Sequence, residues 1–322
     1  MDEMKLIGSY GIVPVAVINN SDNAVPAADA LSKGGLPLIE VTLRTEAACD
    51  SIRRIAGELP DVLVGAGTVL TTDQCKRAVD AGAKFIVSPC TNESVVGWCC
   101  ENKIPVVPGA VSPTEIDAVL AHGLHVVKFF PASVYGGAAG CKALYDPYQS
   151  AGIGFIPTGG VNNDSIGDFI RKPFITAVGG SWMCKAADID AGNFDAIQRN
   201  AKNAVSAMLG FSVAHVGVNF DAEQDARDAA GQLCRMFGFE GSEHSSSIFA
   251  SQGIELCKSA GMGKNGHIAI HTNSVKRAVF YLEKNGFAID RDHCKYNAAG
   301  AMTSAYLKDE IGGFAVHLLA RS

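Results

Sequence analysis

The sequence predicts a (β/α)₈ TIM barrel followed by a smaller α+β domain. Two observations carry the barrel. From Gly11 to about Met208, apolar β-rich runs alternate eight times with turn residues and helical stretches. The polar residues of those runs fall late in each run, where a barrel of parallel βα units opens its concave face. A third observation carries the second domain: beyond Gly210 the alternation stops, and one arrangement of strands and a helix occurs twice.

The eight runs are Ile12–Ile18, Leu36–Leu43, Val62–Val69, Lys84–Pro89, Pro105–Ala110, His125–Ala132, Gly154–Gly160 and Thr176–Trp182. An open doubly wound sheet would alternate too, but eight units within about 200 residues fit a closed barrel better. Helix starts are legible: Ser21-Asp22 before Ala24–Ser32, Thr71-Thr72-Asp73 before Gln74–Ala81, and Ser112-Pro113 before Thr114–Ala121. Gly34-Gly35, Gly82 and Gly123 read as helix stops. Residues 188–209 read as a last helix, so the domains are predicted as 1–210 and 211–322.

Composition narrows the function classes. Of 322 residues, 48% are hydrophobic and 19% charged, enough apolar material for a large core. The net charge of −6 and the lack of a basic run argue against nucleic acid or an anionic membrane as partner. No window approaches the ~18 apolar residues of a membrane span. Met1–Tyr10 carries Asp2 and Glu3 and does not read as a secretory signal. Ten scattered cysteines without a C-x-x-C read as reduced thiols, so the expected location is the cytoplasm.

In the second domain the predicted strands are His215–Phe220, Ser246–Ser251, Gly253–Lys258, His267–Thr272, Gly300–Leu307 and Gly313–Leu319. Ala222–Phe237 and Val275–Asn285 read as helices. The two halves share wording: "AHVGVNF" against "GHIAIHT", and "CRMFGFE" against "LEKNGFA". Each half spans about 50 residues, an internal repeat.

The chemistry concentrates in three segments. In His125–Ala132, alternation puts Val126, Lys128 and Phe130 on one strand face. A neutral amine on an inward apolar face is a nucleophile toward a ketone, and the iminium it forms withdraws electrons from the adjacent carbons. The competing reading is a lysine snorkelling at a strand end. In Ile39–Arg44, Glu40, Thr42 and Arg44 are expected to share a face. Such a polar set on an inward face is unfavourable unless it serves a site. Glu40 suits proton transfer and Arg44 suits a bidentate grip on a carboxylate; a mutual Glu40–Arg44 ion pair is the structural alternative. Lastly, Thr158-Gly159-Gly160 and Gly179-Gly180-Ser181 close the seventh and eighth runs, where barrels commonly cradle phosphate.

The segments "PVAVI" (14–18), "IEVTLRT" (39–45), "VGAGTVL" (64–70), "VSP" (87–89), "VKFFPA" (127–132), "PTGG" (157–160) and "GGSW" (179–182) together resemble the 2-keto-3-deoxy-6-phosphogluconate (KDPG) / 4-hydroxy-2-oxoglutarate aldolases over nearly all of residues 8–209. The resemblance implies a class I aldolase of carbohydrate metabolism, in the Entner–Doudoroff pathway, needing no cofactor. It implies Lys128 as Schiff-base lysine and Glu40 as proton shuttle. Arg44 and Thr68 would hold the pyruvate carboxylate, with Pro89, Phe130 and Thr158 also at the substrate. Gly159, Gly160, Gly180 and Ser181 would take the phosphate. Cys90 departs from the glycine often found after Ser-Pro in the family. The family is typically trimeric, so a homo-oligomer acting on a small 2-keto acid phosphate is expected.

The repeat from about 213 to 322 resembles, more weakly, the glyoxalase / vicinal-oxygen-chelate proteins, whose paired βαβββ modules curve around a metal. Their ligand positions match His215, Glu255, His267 and His317, a set able to hold a divalent metal. A metal-free module is the alternative, since repeat symmetry alone places histidine at both strand starts. Two other functions remain in view: a phosphosugar-binding sensor without catalysis, and a chain whose distinctive activity is a metal-dependent lyase or isomerase in the second domain. Borohydride trapping with pyruvate tests the first and metal analysis the second.

Overall fold

The computed structural model describes residues 2–321. The chain divides into two compact units, Met1–Met208 and Leu209–Ser322. In the first, helix α1 (Glu3–Tyr10) precedes eight strands: β1 (Ile12–Ala16), β2 (Leu38–Thr42), β3 (Leu63–Gly67), β4 (Ile86–Val87), β5 (Val106–Val107), β6 (Val126–Phe129), β7 (Gly154–Pro157) and β8 (Val178–Gly180). Between them run α2 (Ala24–Lys33), α3 (Ala48–Glu58), α4 (Thr72–Asp80), α5 (Glu93–Glu101), α6 (Pro113–Ala121), α7 (Gly137–Tyr145) and α8 (Ile166–Ile170). One sheet has the order β5-β4-β3-β2-β1-β8, and β6 pairs with β7; every pairing is parallel. Single parallel bridges, Gly109–Lys128 and Thr158–Gly179, connect the two sheets. At the first, Ala110 N donates to Lys128 O at 2.9 Å and Lys128 N to Pro108 O at 2.8 Å.

These strands are covered on both faces, which is why they read as continuous apolar runs. All five residues of β2 are buried. Packing is close: a Cβ at Gly65 would lie 2.4 Å from the Phe85 ring, so the glycine makes room for that side chain. Each strand is shorter than its apolar run, because the last residues of the run leave the ladder to enter the βα loop. Arg44, Thr68, Phe130, Thr158 and Ser181 therefore all lie just past a strand end.

Some helix boundaries differ from expectation. Helix α2 has Asn23 at its N-cap position without a side-chain cap bond; Asn20 instead caps the 3₁₀ turn over Ser21–Asn23 that precedes it, its Oδ1 accepting from Asp22 N at 3.0 Å. Thr71 and Gln74 form a full capping box on α4. Ser112 makes no cap bond; Glu115 reaches back instead, accepting from Val111 N at 2.9 Å. The last helix is two, α9 (Ala186–Asp190) and α10 (Phe194–Leu209), broken at Gly192 with φ 69°.

The second unit contains β9 (Ser212–Asn219), α11 (Glu223–Phe237), β10 (Ser242–Glu243), β11 (Ser247–Ser251) and β12 (Ile254–Cys257), then β13 (Gly266–Thr272), α12 (Val275–Lys284), β14 (Ile289–Tyr296), β15 (Met302–Leu307) and β16 (Phe314–Ala320). The sheet order is β10-β11-β12-β9-β13-β16-β15-β14. The first strands of the halves meet antiparallel at the centre, each flanked by the parallel last strand of its own half. Two strands escaped the sequence reading. β10 is two residues long, and β14 is an edge strand of sequence IDRDHCKY whose charges leave no apolar alternation.

Alternation sorts the two faces of this sheet. Ile248 and Leu256 pack with Ala226 and Ala230 of α11, and Val218 joins them. Burying a side chain such as Leu256 contributes about 1.5–3 kcal/mol. The residues offset by one, His215, Phe249 and Glu255, face the opposite side together with His267 and His317.

Candidate active site and a histidine cluster

Lys128 is the third residue of β6, and its side chain points across the interior of the first unit toward β2. Its Nζ donates to Glu40 Oε1 at 3.2 Å. Both are buried, at 6% and 2% exposure. Val13, Phe85, Val87, Val107, Ile156 and Thr158 surround the pair, leaving a cavity of about 10 Å³, space for roughly one water. Lys128 Nζ also stands 5.6 Å from the centroid of the Phe130 ring. This pairing replaces the Glu40–Arg44 ion pair entertained from sequence.

Gly67 allows the carboxylate its position. A Cβ there would sit 2.1 Å from Glu40 Oε1, so any side chain at 67 would displace it. The sequence reading did not single out Gly67, although it lies beside Thr68 within the "VGAGTVL" segment.

Arg44 does not share the inward face of Glu40. β2 ends at Thr42, so the alternation stops before residue 44, and the arginine is exposed on the rim. Its Nε donates to Thr68 Oγ1 at 3.3 Å. Thr68 itself has φ 57°, a left-handed conformation that β-branched residues such as threonine rarely adopt and that concentrates at functional sites. Thr42 serves the sheet, its hydroxyl donating to Ala16 O at 3.1 Å. Ser88 serves a turn: its hydroxyl bonds to Cys90 O and accepts from Cys90 N at 3.3 Å.

The loops after β7 and β8 come together. Thr158 bridges to Gly179, and a Cβ at Gly179 would meet Thr158 Oγ1 at 2.3 Å. Gly159 and Gly160 have φ of 90° and 81°, which lets the backbone turn and expose its amides. A Cβ at Gly160 would meet Ser133 Oγ at 2.4 Å, which adds Ser133 to this corner. Trp182 packs on Gly180 and donates from Nε1 to Asn163 Oδ1 at 2.8 Å. Ser181 is exposed at the mouth. Pro89 lies on the loop after β4, its carbonyl against Gly109.

The sequence pattern of the family described as "KDPG and KHG aldolase" matches residues 4–200. The chain belongs to this aldolase family. A 2-dehydro-3-deoxy-phosphogluconate aldolase of Treponema pallidum is 44% identical over 186 residues, covering 58% of this chain and 88% of the relative. A KHG/KDPG aldolase of Escherichia coli K12 is 40% identical over 194 residues, 60% of this chain and 90% of the relative. Among solved structures, the KDPG aldolase of Legionella pneumophila, with pyruvate captured as a covalent carbinolamine, aligns with a TM-score of 0.60 at 33% identity. It covers 62% of this chain and 97% of that one. All ten cysteines of this aldolase-family chain are free thiols, and none of its described helices is long and apolar enough to cross a membrane.

Beyond the part matched to the aldolase family, the second unit gathers three histidines and a glutamate. His215 Nε2 and His267 Nε2 are 3.1 Å apart, and Glu255 Oε2 lies 3.1 Å from the first and 3.0 Å from the second. His215 is the fourth residue of β9, not its start, while His267 is the second of β13. Gly217 makes room for this: a Cβ there would strike the His267 ring at 2.1 Å. His317 joins from β16, with ligand-capable atoms of all three histidines within 4.8 Å of one another. Its Nδ1 is 3.4 Å from Ser304 Oγ, but its buried Nε2 has no hydrogen-bond partner. Tyr306 stacks on its ring at 4.6 Å.

The electrostatics of the cluster are uneven. Hydrogen bonds from His215 and then His267 hold the Glu255 carboxyl well below the usual range, against the opposing effect of burial. Burial, followed by the neighbouring His267 and His215, pushes His317 down to about 4. His317 is therefore neutral near pH 7, with a free ring nitrogen. A buried ring nitrogen with no partner is unfavourable. Donors facing one centre at about 2.1 Å would lie about 3.0–3.4 Å apart, as His215, His267 and Glu255 do. The three histidines form a group that could hold a divalent metal ion, with Glu255 beside two of them.

Proposed function

We propose that the first unit is a class I aldolase that cleaves KDPG to pyruvate and glyceraldehyde 3-phosphate, and 4-hydroxy-2-oxoglutarate to pyruvate and glyoxylate. The observation that carries this reading is the buried contact of Lys128 Nζ with Glu40 Oε1. Lys128 attacks the C2 carbonyl, giving a carbinolamine that loses water to an iminium. Glu40 takes the proton of the C4 hydroxyl as the C3–C4 bond breaks. The electron pair is held as an enamine, C3 is then protonated, and hydrolysis frees pyruvate and Lys128. The iminium is the electron sink, so this chemistry requires no metal. The carbinolamine captured in the Legionella relative is the intermediate that Lys128 would form here. In the same reading Arg44 and Thr68 hold the substrate carboxylate, Pro89 and Phe130 wall the reacting carbons, and Thr158 contacts the sugar hydroxyls. The bridges Gly109–Lys128 and Thr158–Gly179 support one closed (β/α)₈ barrel as the scaffold. A cytoplasmic homotrimer belongs to the same proposal and rests on family resemblance. A sensor without catalysis is not favoured, because the lysine and the glutamate are both retained and in contact.

Pyruvate release from phosphorylated and unphosphorylated 2-keto-3-deoxy acids tests the substrate. The backbone of Gly159, Gly160 and Gly180, with Ser181, is read as the phosphate cradle. Ser181→Asp brings a like charge to that corner, so KM for KDPG should rise at least ~10-fold, the scale of one charge-assisted contact. Cleavage of 4-hydroxy-2-oxoglutarate should change little. Equal loss on both substrates would reduce the loop to a structural role.

A second activity centre is favoured by the buried, partnerless Nε2 of His317. We propose that His215, Glu255, His267 and His317 hold one divalent metal within a glyoxalase-type pair of βαβββ modules. Such an ion would act as a Lewis acid toward a bound oxygen ligand. Elemental analysis of protein purified without chelator should find about one divalent ion per chain. The His215→Ala/His267→Ala double variant should lose it, and chelation should leave pyruvate release unchanged. No metal in the wild type, and no rise in melting temperature on adding zinc, nickel, manganese or ferrous ions, would make this unit a metal-free module.

A further inference from the structure

On the rim of the first unit, between the loop after β2 and helices α3 and α4, lies a cleft of about 260 Å³. Arg44, Glu46, Cys49, Gln74 and Arg77 line it. Two features set it apart from an ordinary surface groove. First, both arginines lack a counterion: among the described residues no carboxylate lies within the 4.0 Å ion-pair distance of either, Glu46 included. Arg44 uses only its Nε, toward Thr68, and Arg77 reaches only the Cys49 sulfur, at 3.9 Å. Second, the amide of Gln74 is fixed. Its Oε1 accepts from Leu70 N at 2.7 Å and Thr71 N at 3.2 Å, which leaves its NH₂ as a donor at the cleft.

Two unpaired guanidiniums and an oriented amide make a receptor for planar oxyanions. Each guanidinium fork matches a carboxylate with two parallel hydrogen bonds. The volume is that of several waters at about 30 Å³ each, so the ligand is small. We propose that this cleft binds a small di- or tricarboxylate, gripped between Arg44 and Arg77. The regulatory consequence rests on the aldolase reading above, in which Arg44 also holds the carboxylate of the keto acid. Both anions would draw on the single charge of the Arg44 guanidinium, and turning it toward the cleft takes it from the keto acid, so the cleft ligand competes with substrate while sitting outside the Lys128 site.

The test uses citrate as probe, at constant ionic strength, on the full chain. Citrate should bind by calorimetry, inhibit pyruvate release competitively, and slow alkylation of Cys49 by iodoacetamide, read on the Cys49 peptide. Arg77→Leu should weaken citrate binding by about tenfold, the scale of one lost charge-assisted pair, and should abolish Cys49 protection. It should leave kcat and KM without citrate unchanged. Lys128→Arg should still bind citrate. If wild type fails to bind citrate, or binds it no better than Arg77→Leu, the proposal is overturned. It is also overturned if Arg77→Leu raises KM without citrate, because Arg77 then belongs to the substrate site. Calorimetry and Cys49 protection read the cleft even if the wild type releases no pyruvate, so failure of the aldolase reading is separable.

Discussion

Lys128→Arg is expected to release pyruvate from KDPG no faster than the uncatalysed background. A guanidinium stays protonated at any accessible pH and cannot form the imine, although it preserves the positive charge opposite Glu40. Retained charge is what makes this variant informative. Lys128→Ala would leave Glu40 buried without its partner, and such removals destabilise by about 3–5 kcal/mol. Loss of activity in Lys128→Arg with a melting temperature close to wild type would place the defect in chemistry. Measurable turnover in this variant would mean that the amine is not the nucleophile.

Glu40→Gln is expected to lower turnover by about 10²–10⁴-fold, the usual contribution of a positioned acid–base group. The amide fills the space of the carboxylate over Gly67 and still accepts a hydrogen bond from Lys128 Nζ, so the fold should hold. What it lacks is the capacity to take the proton of the C4 hydroxyl. Imine formation with pyruvate should persist to a measurable degree, because the nucleophile is intact. The readouts are steady-state pyruvate release and single-turnover trapping, compared with wild type. Turnover within twofold of wild type would assign Glu40 a purely structural role, as the ion-pair partner of Lys128.

The inward position of Lys128 was legible only once its strand was read together with the Glu40 segment, because β6 is apolar but for the lysine, is buried on both faces and shows no alternation of its own. The glycine pairs were legible because they close two consecutive strands. Arg44 was misplaced because alternation was carried two residues beyond the end of β2, into a loop where the backbone no longer obeys it. Gly67 and Ser133 were not legible at all. Their significance lies in what approaches them across the fold, a carboxylate in one case and a glycine backbone in the other, and neither approach leaves a local pattern. In the second unit, β14 was hidden by its own edge position, which favours charge over apolar alternation. The histidine cluster was named from the resemblance to paired βαβββ modules, yet the free Nε2 of His317 required the packing of Tyr306 and Ser304 around it.

The most direct test of the Schiff-base aldolase is reduction of the full chain with borohydride in the presence of pyruvate, followed by peptide mass analysis. Irreversible inactivation should accompany one reduced pyruvate adduct per chain, on the peptide that contains Lys128. Full activity after treatment, or an adduct on a different lysine that accounts for the inactivation, would contradict it.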